Sequence, residues 1–134
     1  MIRILLALVI LALTALHADA FTCTATGCTF AAKYTEPTQN TAAGPVNLTG
    51  TTVYYKVNNG LERAVQVPAS SAAGGVAIAK DITEPILPGQ KVTITGAATA
   101  KNAAGESTRT TLSSLTIDRS GEVVPNPPVG GSFE

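Results

Sequence analysis

The chain has 134 residues, nine Lys/Arg and nine Asp/Glu, and a formal net charge of zero at pH 7. That length allows one small domain. The charges are scattered, and a phosphate-binding face needs several Lys/Arg together to displace counterions, so no nucleic-acid partner is expected.

Residues 1–20, MIRILLALVILALTALHADA, have the layout of a secretory signal peptide. Arg3 is the short positive region, Ile4 to Leu16 is the apolar run, and Ala18-Asp19-Ala20 is an A-x-A cleavage site. A membrane-spanning helix needs roughly 20 apolar residues, more than this run supplies. The expected mature chain therefore starts at Phe21. It is expected to be exported to the periplasm, the cell surface, a virion or the outside, with no stable membrane anchor. Without Arg3 and Asp19 it keeps eight basic and eight acidic residues and no His, since His17 lies in the leader.

The next stretch, FTCTATGCTF, holds both cysteines, Cys23 and Cys28. An exported chain meets an oxidising compartment, so a Cys23–Cys28 disulfide is expected, flanking a hairpin loop as a cross-strand pair. Zinc is the rival reading. It fails on ligand count, because a structural site wants four ligands. No metal and no cofactor is expected.

Six segments then alternate apolar and polar residues at period two, the signature of half-buried strands. In Cys28 to Tyr34, residues Cys28, Phe30, Ala32 and Tyr34 share a face. In TTVYYKVN, Val53, Tyr55 and Val57 oppose Tyr54 and Lys56, and Asn58-Asn59-Gly60 marks a hairpin turn. Leu61, Val65 and Val67 form one face of a strand that Pro68 ends. GVAIAKDI sets Val76, Ile78 and Ile82 on one side. In KVTITGAATA, Val92, Ile94, Gly96 and Ala98 oppose Lys91, Thr93, Thr95 and Thr99. The sixth segment runs from about Ser107 to Ile117, and its parity changes between Leu112 and Leu115, which predicts a bulge or a bend.

NAAGES, residues 102–107, reads as the turn between the last two strands, with Asn102 and Gly105 supplying awkward backbone angles. The tail, DRSGEVVPNPPVGGSFE, cannot continue a strand past Pro125, Pro127 and Pro128. The expected fold is all-β: an Ig-like sandwich of six to seven antiparallel strands over residues 21–118, with a flexible Pro/Gly-rich tail over 119–134.

Three stretches carry a resemblance. FAAKYTEPTQNTAAGPVNLTGTTVYYKV is similar to the B strand, Pro-rich loop and C strand of a bacterial or phage-type fibronectin type III domain, with Tyr34 three residues before Pro37 where that family usually has Trp. Leu87-Pro88-Gly89 resembles the family's E–F corner, although Val92 stands where a tyrosine is usual. Ala100-Lys101-Asn102 leading to Gly105-Glu106-Ser107 resembles its F–G turn. The resemblance spans roughly residues 28 to 118. It implies the fibronectin type III fold, with Tyr34 as the buried aromatic lying over Gly96 and Ala98, and it names no activity.

Catalysis has little to stand on. A Ser, Thr or Cys nucleophile needs a base beside it, and no Ser-x-x-Lys or Gly-x-Ser-x-Gly stretch is present. Asp81 and Glu84 are close in sequence and read as solvated loop charges. The chain is therefore expected not to be an enzyme. Candidate contact residues are Tyr54, left facing outward by alternation, and Thr93 and Thr95 on the Thr face of the same sheet. The expected function is a small exported adhesion or binding module for a protein or glycan. The second reading is a structural subunit of a virion or surface fibre, self-associating through sheet edges.

Overall fold

The computed structural model describes residues 21–133, so the expected signal peptide lies outside the described residues. Eight strands run in chain order: β1 (Phe21–Thr24), β2 (Gly27–Thr35), β3 (Gly50–Val57), β4 (Arg63–Pro68), β5 (Ala77–Glu84), β6 (Lys91–Asn102), β7 (Gly105–Glu106) and β8 (Thr110–Asp118). All pairings are antiparallel. One sheet has the order β1-β2-β5. The other has β4-β3-β6, with β7 and β8 both on the far edge of β6. The count exceeds six to seven because the short β1 does pair and the last strand is split in two by Ser107–Arg109.

Local sequence sets the boundaries. Val, Ile and Thr suit the pleated surface, and proline cannot donate to a ladder. Pro37 follows the end of β2, Pro68 is the last residue of β4, and Pro85 follows β5. Leu61 departs from expectation. It is 90 % exposed and precedes β4, because the connection from β3 runs to Glu62 before pairing resumes at Tyr55↔Arg63.

The two sheets meet through the inward residues that alternation predicts. Phe30, Ala32 and Ile82 from one sheet pack with Val53, Tyr55, Val92, Ile94 and Ile117 from the other. The Phe30 and Tyr55 rings meet edge to face at 6.3 Å between centroids. The larger of these, such as Phe30, Ile82 and Val92, each contribute roughly 1.5–3 kcal/mol on burial. The parity change in β8 is a bulge: Ile94 pairs with Leu115, but Gly96 pairs with Leu112. Gly96 is required for a reason other than a ring lying over it. A Cβ there would collide with the Tyr54 carbonyl oxygen and press on Tyr55 of the neighbouring strand. Tyr34 is half-buried at the margin of the core, and its hydroxyl bonds the Thr51 hydroxyl at 2.7 Å.

Three charged residues are built into the interior: Glu36, which is 2 % exposed and accepts the Ser70 N–H at 3.3 Å, Glu84 and Arg119. Glu84 is 3 % exposed, so it is no loop charge. It accepts the Tyr55 hydroxyl at 2.6 Å and the Arg63 guanidinium, joining β5 to the facing sheet. Burial first, then this bond, raises the Tyr55 phenol above its ordinary 10.0. Asp81 is exposed, on strand β5. Arg119, at the start of the expected tail, is also 3 % exposed. Its Nη1 donates to the carbonyls of Thr24 and Ile86, both at 2.7 Å, and its other nitrogens hold Glu122. Ordered packing therefore continues to Glu122.

Cys23 and Cys28 form a disulfide at paired positions of the β1–β2 hairpin, closed by Ala25-Thr26. Disulfides persist in oxidising compartments. No helix among the described residues is long and apolar enough to cross a membrane. Exported protein is expected to be two hydrogens lighter than its reduced form by intact mass. In the chain-entropy model, Cys23→Ser should cost up to about 2 kcal/mol, since the loop is short. Stoichiometric maleimide labelling of the native protein would contradict the bridge.

Candidate functional site

Strand parity brings Tyr54, Thr93 and Thr95 to the outer face of the five-stranded sheet. Tyr54 pairs with Ala97, Thr95 with Lys56, and Thr93 with Thr116. Thr95 is exposed. Thr93 is half-covered, its hydroxyl 3.4 Å from that of Thr116.

Tyr54 is held in place by neighbours that the sequence reading did not name. Its hydroxyl donates to Glu106 Oε1 at 2.6 Å. The Thr99 hydroxyl donates to the same oxygen. The Arg109 guanidinium sits 4.1 Å from the centroid of the Tyr54 ring, a cation–π stack. Arg109 also forks onto Glu62, with both bonds at 2.8 Å. The outer face is thus a tied network running from Glu62 through Arg109 and Tyr54 to Glu106 and Thr99. The turn places it: Glu106 pairs with Lys101 across β6–β7, which points its carboxylate along the face.

The network shifts its own titrations. The Thr99 bond first, then that of Tyr54, holds the Glu106 carboxyl below its ordinary 4.5. The Arg109 fork does the same for Glu62. The Glu106 bond raises the Tyr54 phenol above 10.0. A depressed carboxyl stabilises the fold above its unfolded pKa, and that contribution is lost as pH falls through the folded pKa. In an NMR titration the Tyr54 ring resonances are expected to move with a midpoint below 4.5. A midpoint at or above 4.5 would contradict the network.

The turn is as expected, with one difference. Asn102 pairs with Gly105, which takes a positive φ of 143°, and Asn102 itself has no positive φ. Asn102 acts through its side chain. Its Oδ1 accepts the Ala104 N–H at 2.9 Å, and its Nδ2 donates to the Val46 carbonyl at 2.8 Å. The turn is thereby fastened to the 36–49 connection between the sheets.

That fastening frames a second feature. A groove of about 880 Å³ opens at this end of the sandwich, between the end of β2, the 37–48 segment and the start of β8. Tyr34, Val46, Leu48, Ala98, Ala100 and Leu112 are among the residues lining it. Among the described residues, β1 pairs with Gly27 to Phe30, and no described strand lies against the edge of β2 from Ala31 to Thr35 on that side. Tyr54, Thr93 and Thr95 are not among its lining residues, but Thr99 and Glu106 are. The outer-face network thus reaches its rim. Its lining is mixed: the apolar side chains alternate with Thr, Ser, Asn, Gln and Lys residues such as Lys33, Gln39, Asn40, Thr110 and Ser113.

Comparison of the chain with protein-family models, with curated proteins and with solved structures finds no match.

Proposed function

We propose that this chain is a small exported binding module, a fibronectin type III-like sandwich without catalytic activity, whose groove receives an extended segment of a protein partner. The observation that carries this reading is the groove itself: a cleft of mixed apolar and polar lining beside a strand edge that no described strand covers. An added strand gains main-chain hydrogen bonds from such an edge and seats alternate side chains in the cleft. A glycan would find little there to stack on, since Tyr34 is half-buried and already bonded to Thr51. The strand order, β1-β2-β5 facing β4-β3-β6-β8, supports the fibronectin type III reading. The disulfide supports export. Two of the acids that catalysis could have used, Glu84 and Glu106, are engaged in structural bonds.

The test is selection of displayed random peptides on the exported chain and on an Ala100→Trp chain whose groove is filled. Peptides that enrich on the first and not on the second are expected. No enrichment, or equal enrichment on both, would remove the groove as the binding site.

A further inference from the structure

Residues 123–133, VVPNPPVGGSF, carry no charge. They hold four of the exposed large apolar side chains: Val123, Val124, Val129 and Phe133, the last two essentially fully exposed. The groove, with Tyr34, Ala100 and Leu112 among its lining residues, opens at the other end of the same molecule. We propose that the groove of one copy receives residues 123–133 of a second copy, so that copies join head to tail; this rests on the groove being the binding site.

The two ends of the molecule give the arrangement. β8 runs from Thr110, beside the groove, to Asp118, which pairs with Lys91 at the start of β6. Arg119 then fixes the chain against Thr24 and Ile86 at that far end. The tail therefore leaves from the end opposite the groove. It does not lie on its own groove, given the exposure of Val129 and Phe133. Extended at about 3.1 Å per residue, residues 123–133 reach ~34 Å. That is about the length of a nine-residue strand, which is ample to enter a neighbour. A donor surface at one end and an acceptor at the other make a heterologous contact, which propagates unless a ring closes.

The chemistry of the two parts matches. Successive N–H groups on a strand point to opposite sides. Pro125 and Pro127 thus fall on one side, and Val124 and Asn126 keep their donors on the other, toward the open edge of β2. Pro128 ends that short ladder, and Val129 and Phe133 are left to meet the apolar lining residues Tyr34, Ala100 and Leu112. Glu134 follows in the sequence, and Lys33 and Lys101 stand among the groove residues.

The experiment is light scattering on exported protein, fractionated by size from micromolar to millimolar concentration. The average mass of the wild-type chain is expected to climb past two copies without levelling. A Val129→Ser/Phe133→Ser chain and an Ala100→Trp chain should each stay at one copy. An equal mixture of the two should give pairs and nothing longer, since each pair then has one intact tail and one intact groove. The tail substitutions touch no packed residue, so their effect is not one of folding. A wild-type mass fixed at one copy, saturation at two, or growth that survives either the tail substitutions or the filled groove would overturn the proposal. If peptides enrich on the groove while the wild-type chain stays at one copy, the tail inference falls and the groove reading stands. If neither occurs, both fall.

Discussion

Glu84→Ala should destabilise the domain by about 1–3 kcal/mol, the cost of leaving a buried polar group unpaired, because Arg63 is 55 % exposed and regains water. The carboxylate is 3 % exposed and serves the Tyr55 hydroxyl and the Arg63 guanidinium at once. Its removal leaves the phenol without an acceptor inside the sandwich, and an unpaired buried polar group costs its full desolvation. Glu84→Gln keeps an acceptor for Tyr55 and gives up the charge, so it should cost clearly less. Urea denaturation of the three chains decides the matter. A Glu84→Ala midpoint equal to wild type would show that the carboxylate contributes nothing.

Tyr55→Ala should cost more, about 3–5 kcal/mol, the usual range for deleting a core aromatic. It removes the ring packed on Phe30 and strands Glu84 with Arg63 alone. Tyr34→Ala should cost less, because that ring is half-buried at the groove margin. Tyr54→Ala should cost least, since the ring lies on the outer face. The order Tyr55, Tyr34, Tyr54 is the expected result by chemical denaturation, and Tyr54 ranking first would invert the assignment of faces. Glu84 and Tyr55 touch, so the double variant should lose less than the two single losses added together.

Alternation was enough to place Phe30, Val53, Tyr55, Val92 and Ile94 on the inner face, because period two maps directly onto the two sides of a strand. The bulge was legible too, from the parity change between Leu112 and Leu115. Partnerships across the sandwich were not. Glu84 sits at an inward parity position, yet a lone carboxylate in sequence looks solvated until Tyr55 and Arg63 are brought against it. Arg119 sits among tail residues, and its partners are carbonyls of Thr24 and Ile86, which no side-chain pattern announces. The resemblance makes Tyr34 the buried aromatic over Gly96, while by packing Tyr55 holds that role and Gly96 is required by the approach of β3. The candidate site was half legible. Tyr54, Thr93 and Thr95 do share a face, but the tie to Glu106 and Arg109 depends on where the turn sets them. The groove had no motif of its own, because its lining is drawn from β2, the 37–48 segment, β6 and β8, which only the fold brings together.

The anchoring of Arg119 determines how the domain would bear tension. Pulling on residues beyond Glu122 loads Arg119 first, and through it the disulfide-closed hairpin at Thr24 and the connection at Ile86. If the opposite pull enters at the groove, β8 is drawn along its own length against β6. Its ladder bonds then resist together in shear instead of parting one after another. A molecule gripped at these two ends is stretched along its stiff direction.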